Sequence, residues 1–340
     1  MDAPAVWFPA VRAGSGADVF TERLCAGLNA RGLRAAITWL PHRAEYAPWS
    51  VPVPKPPAWA NIVHVNSWLH PRFLPQGLPI VSTLHACVHD DALNRYKSRL
   101  QSLYHRYWIR PIEAATLRRA TRVVAVSRYT AGMAEKAFDV SGIRVIYNGI
   151  DCSRFTPIER DHPQHPFRLL YVGNWSRRKG VDLLAPIMEA LGDGFELAYT
   201  ADREGAHERY ALPPNCRNLG RLSGESLVTA YQQADALLFP SRLEGFGLVA
   251  AEAMACGLPV IAANTSSLPE VVEHEQTGLL CPADAIDAFV QAARTLATDI
   301  ARWRMMRQAA RQRVINLFDA SQQVDKYIEL YSGTRNITST

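Results

Sequence analysis

The 340-residue chain contains no run of about 18 uncharged apolar residues, so a membrane-spanning helix is excluded. It has no C-x-x-C pair; its six cysteines, at positions 25, 87, 152, 216, 256 and 281, are scattered. That pattern supports neither a zinc knuckle nor a disulfide framework, and it fits reduced thiols in a cytoplasmic protein. No basic region precedes an apolar run at the start, so no secretory signal is expected. No repeat with a period of 20–50 residues is present, which excludes a solenoid. Charged residues make up only 20%, against 48% apolar, a balance that excludes disorder.

The net charge of +5 is too small to imply a nucleic-acid partner, but it is unevenly spread. Residues 1–155 hold 19 Lys and Arg against 10 Asp and Glu, a net of +9; the remainder has a net of −4. Such asymmetry predicts that the first half meets an anionic partner.

Short apolar runs alternate with helix-length segments. Strands are expected at 5–8, 35–39, 62–65, 80–84, 123–126 and 145–147, then at 168–172, 195–199, 236–239, 259–262 and 278–281. Helices are expected at 19–30, 249–255 and 285–298, with one long helix over 301–332. Strand–helix alternation implies crossover connections, hence parallel sheets covered on both faces. The pattern predicts an α/β protein of two doubly wound domains, 1–155 and 156–317. They are joined through a segment broken by Pro157, Pro163 and Pro166, with a ligand in the cleft at the strand ends. A terminal helix over about 318–335 is expected to return to the first domain on Ile315, Phe318, Val324, Tyr327 and Leu330. Residues 48–57 hold five prolines and read as an irregular loop.

Two loops carry signals for anion binding. Gly14-Ser15-Gly16 follows the first strand and opens a helix, where backbone N–H groups can approach an anion. The dinucleotide fingerprint fails, because Val19 stands where its third glycine belongs. In the second half a strand ends at Pro240. A loop with Glu244, Gly245, Phe246 and Gly247 then opens a helix bearing Glu252. Glycines expose the N–H groups of that helix start to phosphate or sugar oxygens. Glu244 and Glu252 are eight apart, which places both on one face if the helix starts early enough.

This stretch, P-S-R-L-E-G-F-G followed by E-A-M-A-C-G-L-P-V-I, resembles the nucleotide-sugar site of the retaining GT-B glycosyltransferases of family 4. The resemblance extends through Leu268-Pro269-Glu270, Thr277-Gly278-Leu279-Leu280, Val126-Ser127, Asn148-Gly149-Ile150-Asp151, Gly173 and Lys179-Gly180, over roughly residues 5–295. It implies a GT-B fold, with an acceptor-binding first domain and a second domain that binds the nucleotide diphosphate sugar. By resemblance, Glu252 holds the ribose, Glu244 sits near the donor sugar, and the backbone amides of Phe246, Gly247 and Leu248 lie beside sugar and phosphate. Lys179 neutralises the diphosphate, whose growing charge a fixed cation stabilises. Gly16, Gly173 and Asn174 line the donor site. Asn174 stands where an arginine is usual, and Arg178 or Arg177 is expected to supply its charge. Ser15 replaces one glycine of the first loop, and Ser266-Ser267 replaces a glycine pair before Leu268. His85, at the end of the strand over 80–84, is placed at the catalytic site; His89 and Asp90 are weaker candidates.

No D-x-D occurs, so a metal-bridged diphosphate is not expected, and no cofactor beyond the donor substrate is implied. His85 and His89, with Cys87 between them, have a chelating spacing, but the first ends a strand and no third ligand is evident. Retention without an obvious carboxylate nucleophile implies front-face attack by the acceptor hydroxyl. The expected acceptor is a glycan or a lipid-linked glycan of the bacterial cell surface, such as lipopolysaccharide. Asn94–Arg122 carries eight cations against one acid, Glu113, with interleaved aromatics. Such a segment can rest on an anionic membrane, which would place the protein at the inner face of the cytoplasmic membrane. Two other readings share the architecture, a sugar-nucleotide 2-epimerase and a non-catalytic sugar-nucleotide-binding subunit.

Overall fold

The computed structural model describes residues 3–86, 88–201 and 210–338, with side chains to Thr334. Cys87 lies outside the described residues. The chain forms two compact units, Met1–Gly149 with Ala320–Thr340, and Ile150–Asp319.

The first unit is built on six parallel strands: β1 (Ala5–Val11), β2 (Arg34–Leu40), β3 (Ile62–Asn66), β4 (Ile80–Leu84), β5 (Arg122–Ala125) and β6 (Arg144–Val145). Their order is β2-β1-β3-β4-β5-β6. Its helices are α1 (Gly16–Ala30), α2 (Arg99–Tyr104), α3 (Arg110–Arg119) and α4 (Arg128–Phe138). β3 and β4 are almost wholly buried, as strands covered on both faces must be, and this is why they read as unbroken apolar runs.

The second unit has β7 (Phe167–Tyr171), β8 (Phe195–Tyr199), β9 (Cys216–Asn218), β10 (Ala236–Phe239), β11 (Val260–Ala263) and β12 (Gly278–Cys281). Between and after them come α5 (Leu184–Leu191), α6 (Glu225–Gln233), α7 (Leu248–Ala255), α8 (Leu268–Val271), α9 (Ile286–Thr298) and α10 (Ile300–Leu317). The order β12-β11-β10-β7-β8-β9 is again fully parallel. β7 and β10 are neighbours whose chains continue to opposite sides of the sheet. A crevice opens at the carboxyl ends of such a pair, and ligands bind there.

The unit boundary falls at Gly149/Ile150, ahead of the expected 155/156. The segment after Ile150 packs entirely in the second unit. Phe155 is fully buried against Tyr231, and Arg311 donates to the carbonyls of Cys152 and Phe155. Asp235, also fully buried, accepts from Arg160 and from the N–H groups of Gln164 and Arg168, fastening the proline-broken stretch to β7.

The single helix expected over 301–332 is two helices, α10 and then α11 (Ala320–Thr338), broken at Phe318-Asp319. Phe318 is 1% exposed and stacks edge-on against Phe246, so it belongs to the second unit's core. Ile150 N–H donates to the Phe318 carbonyl, which stops helical bonding there. Ile315 is likewise in the second unit. Val324, Tyr327 and Leu330 of α11 join Phe8, Leu24 and Leu28 in the first unit's core.

That core encloses an imidazole. His64, 3% exposed, hydrogen-bonds Tyr331 Oη (2.6 Å) through Nδ1 and Thr83 Oγ1 (2.7 Å) through Nε2. Burial, and then the neighbouring His85, push its pKa down to about 3. An unfolded imidazole protonates near pH 6.5, whereas the folded one stays neutral until about pH 3. Between these values the unfolded state binds more protons, so stability falls as pH drops below about 6.5. A melting series from pH 7.5 to 4.5 should show this fall, and His64→Gln should flatten it; parallel curves for variant and wild type would refute the assignment.

Candidate functional site at the β7–β10 switch point

β7 leads into Gly173 and Asn174, then to a short 3₁₀ turn over Arg177–Lys179. β10 leads into Pro240–Gly247 before α7 begins at Leu248. The two loops are in direct contact at Gly180. Its φ is +74°, and a Cβ there would lie 2.2 Å from the Pro240 carbonyl oxygen. Only glycine permits this backbone approach.

Across the contact, Lys179 Nζ donates to Glu244 Oε1 at 2.5 Å. Both side chains are close to nine-tenths buried. Ser241 Oγ donates to the same carboxylate oxygen (2.6 Å), and the ammonium lies 5.6 Å from the centre of the Phe239 ring. Glu244 N–H donates to Ser266 Oγ (3.0 Å), while Ser267 Oγ donates to the Glu244 carbonyl (3.0 Å). Ser266 has φ +51°, the left-handed conformation that a glycine would take at no cost. Ser266 thus takes a backbone conformation that favours glycine, and the two serines make two hydrogen bonds to Glu244.

Tyr171, fully buried at the end of β7, donates to the Asn174 carbonyl (3.2 Å) and fixes the Gly173–Asn174 turn. Burial, with the Glu244 charge next, raises its pKa far above the usual phenol range. Gly173 N–H donates to Thr200 Oγ1 (3.1 Å). Asn174 is exposed. Arg178 donates to the Leu243 carbonyl (2.7 Å), so its charge stitches the two loops, while Arg177, its side chain 72% exposed, has Nε 3.9 Å from Asp182 Oδ2.

Glu252 sits at the middle of α7, with Oε2 3.4 Å from Tyr231 Oη. The expected helical spacing with Glu244 does not hold. α7 begins four residues after Glu244, so the two carboxylates belong to a loop and a helix with different surroundings. Gly247, at φ +102°, is the N-cap of α7, and Leu248 is its first residue. First-turn N–H groups have no intrahelical acceptor, and the helix dipole is positive there. The Phe246 side chain is core, 3% exposed against Phe318.

In the first unit, Asp18 folds back onto the glycine loop. Its carboxylate accepts from Ala13 N–H (2.9 Å), Gly14 N–H (2.8 Å) and Ser15 Oγ (3.0 Å). Those two amides are occupied. Gly16 is exposed and is the first residue of α1, and Gly14 rather than Gly16 has positive φ.

His85 follows β4, and its ring meets Phe20 edge-on at 4.6 Å. Part of its surface stays open, but the enclosed ring has its pKa pushed down to about 4, so it is neutral at pH 7. His89 Nε2 lies 3.1 Å from Glu113 Oε2, and Ser67 Oγ donates to Glu113 Oε1 (2.6 Å). Glu113 is fully buried, so His89 is tied to α3 through Nε2. Asp90 caps the turn after β4 through Ala92 N–H and accepts from Tyr129 Oη. Among the described residues, no three His, Cys, Asp or Glu side chains converge as a metal site.

The basic segment is a helical run from Arg99 to Arg119 with one wide turn at His105–Ile109. Pro111 explains the turn: it has no N–H to give the Tyr107 carbonyl four residues back, and its ring crowds that carbonyl. Leu100, Leu103 and Tyr107 are 79%, 52% and 66% exposed. Beside them, Trp108 contacts Trp49 edge-on and donates to the Glu45 carbonyl, so the 42–53 segment adds exposed Tyr46, Trp49 and Val53. Four of the eight cations are bound to carbonyls: Lys97, Arg110, Arg119 and Arg122.

Fold and site together define a protein of two doubly wound α/β units, with a cation–carboxylate pair at the switch point of the second. Comparison with known families agrees. Residues 155–313 match the model described as glycosyl transferases group 1, and residues 57–154 match glycosyltransferase family 4. The glycogen synthase of Mycobacterium tuberculosis is 30% identical over 281 residues, which are 76% of this chain and 65% of that protein. The chain thus spans just under two thirds of that relative's length. The solved sucrose-phosphate synthase of Thermosynechococcus elongatus superposes with a TM-score of 0.77 at 21% identity, over 98% of this chain and 99% of that one. Anabaena HepE in complex with UDP superposes with a TM-score of 0.72 at 16% identity, over 97% and 100%. The chain belongs to the group 1, family 4 glycosyltransferases of the GT-B fold.

Proposed function

We propose that the protein is a retaining, metal-independent glycosyltransferase that moves a sugar from a UDP- or GDP-sugar to a hydroxyl of a glycan or lipid-linked acceptor, in cell-surface polysaccharide or lipopolysaccharide synthesis. The observation that carries this is the Lys179–Glu244 pair, held at the switch point by two loops in backbone contact. As the glycosidic bond breaks, negative charge grows on the departing diphosphate. A fixed ammonium in a poorly hydrated site, with the N-terminus of α7, stabilises that charge. Glu244, once its cation turns to phosphate, can accept hydrogen bonds from donor-sugar hydroxyls, and Glu252 can accept those of the ribose. Gly173, Asn174, Arg178 and the amides of Phe246, Gly247 and Leu248 complete the donor site.

Retention follows if the acceptor hydroxyl attacks from the face the diphosphate leaves and passes its proton to that leaving group. The protein then acts through position and charge. His85, neutral at pH 7, contributes a hydrogen bond to a sugar hydroxyl rather than a positive charge. Gly16 remains a donor-site candidate by resemblance. HepE's complex with UDP supports a nucleotide diphosphate donor, and the glycogen synthase relative supports a glycan acceptor. Thermal shift against UDP-, GDP- and ADP-sugars, followed by NMR of the transfer product, tests the reading. No shift with any of them removes the donor assignment, and an inverted anomeric centre removes retention.

The basic, apolar surface of Leu100, Leu103, Tyr107 and Trp49 supports peripheral contact with an anionic membrane, since buried apolar area and lipid charge both add to binding. Among the described residues no helix is long and apolar enough to cross a membrane. Flotation with liposomes holding anionic lipid should carry the protein, and Leu103→Ser with Tyr107→Ser should leave it at the bottom. Equal flotation on neutral liposomes would remove the electrostatic part.

A further inference from the structure

The three cations Arg177-Arg178-Lys179 face one end of a second bridge between the same two loops. Arg242, two residues before Glu244, has only 9% of its side chain exposed. Its Nη1 donates to Asp182 Oδ1 (2.7 Å) and its Nη2 to Asp182 Oδ2 (3.0 Å), a bidentate fork. Its Nε donates to Asp284 Oδ1 (2.5 Å), and Nη1 also reaches the Arg177 carbonyl. Its own N–H donates to the Arg178 carbonyl (2.9 Å), while Arg178 returns a bond to the Leu243 carbonyl (2.7 Å). Asp182 lies three residues after Lys179. The fork therefore spans the two loops right beside the Lys179–Glu244 pair.

The two bridges differ in kind. Lys179–Glu244 joins one ammonium to one carboxylate oxygen, and a diphosphate would compete for that ammonium. Arg242–Asp182 is planar, two-pronged and backed by two further acceptors, and a guanidinium fork holds its geometry where an ammonium does not. We infer that Arg242 and Asp182 are positioning residues for the donor site. They keep the loops after β7 and β10 in register while Lys179 exchanges Glu244 for the donor's diphosphate. Without the fork, release of Lys179 from Glu244 would leave the loops tied by the Arg178–Leu243 bond and by backbone contacts, and the ammonium would meet the diphosphate from a wider range of positions.

The inference rests on the donor-site reading above, and a double-mutant cycle separates the two. Titration calorimetry of UDP, or of whichever nucleoside diphosphate shifts the wild type, is run on wild type, Asp182→Asn, Lys179→Ala and the double variant. Asp182→Asn keeps the side chain's shape but removes the charge, and a melting curve confirms that it is folded. It should weaken binding about 10-fold in the wild-type background and less than about 2-fold in the Lys179→Ala background, because a residue acting through Lys179 has nothing left to position. Arg242→Lys, which keeps the charge but not the fork, should behave like Asp182→Asn. Equal losses in both backgrounds would mean a general structural role and overturn the proposal, as would wild-type affinity in Asp182→Asn. A wild type that binds no nucleoside diphosphate overturns the donor reading and this inference with it.

Discussion

Replacing Lys179 with alanine should lower kcat/KM for the nucleotide sugar about 10²–10³-fold, the usual loss when one preorganised group facing a developing negative charge is removed. The magnitude follows from where the ammonium sits. It is nearly nine-tenths buried, is braced by the Phe239 ring, and is oriented by a carboxylate at 2.5 Å. In water its interaction with a phosphate would be a small fraction of this. The same substitution should also destabilise the fold. Removing one partner of a buried ion pair costs about 3–5 kcal/mol because the other charge stays buried, and the residual exposure here points to the lower end. Ser241 remains as a partner for Glu244 and reduces that cost further. The two effects separate in a second variant. Lys179→Ala with Glu244→Gln should regain much of the lost Tm, since no unpaired charge remains, yet stay as poor in kcat/KM. Recovery of activity along with Tm would show that Lys179 matters only to the fold, and an unchanged kcat/KM in Lys179→Ala would remove it from the site.

What could be read from the sequence followed burial. Strands such as β10 (A-L-L-F) and β4 (I-V-S-T-L) are covered on both faces, so apolar runs announced them. β9 (C-R-N) is three residues of a sheet edge, half exposed, and leaves no such trace. The break between α10 and α11 has no proline or glycine to mark it. Phe318 is drawn into the second unit by Phe246, a contact between residues 72 apart that no local pattern contains. The site divides in the same way. Lys179, Glu244 and Glu252 stand in motifs that local reading could place at strand and helix ends. Arg242, Asp182, Ser241 and Ser266 acquire their roles only when the loops after β7, β10 and β11 come together. Arg178 illustrates the limit. Its charge marked it as a donor-site cation, but its bond to the Leu243 carbonyl across the loops had no trace in the sequence. The basic segment tells the same story: composition gave its eight cations equal weight, while half of them are bound to carbonyls.

Gly180→Ala should lower Tm by about 4–20 °C and weaken donor binding with it. Two costs add. Alanine at φ +74° loses about 1–2 kcal/mol to the left-handed backbone. Its Cβ would also lie 2.2 Å from the Pro240 carbonyl oxygen and 2.8 Å from its carbon. Those are main-chain atoms held by the sheet, so the loops themselves must separate, at a cost like that of overpacking a core, about 1–3 kcal/mol. Together these are worth about 2–5 kcal/mol, and each kcal/mol is worth roughly 2–4 °C in a unit of this size. Gly220 supplies the comparison. It lies in the same unit with φ +70°, and nothing stands within 4 Å of its added Cβ. Gly220→Ala should therefore show the backbone cost alone, a fall of a few degrees, with nucleotide affinity unchanged. If the two variants melt together and bind alike, the close approach of the loops is not what Gly180 provides. If Gly180→Ala alone loses affinity, the spacing between the Lys179 and Glu244 backbones is fixed by the missing side chain between them, and the ion pair reports that spacing rather than creating it.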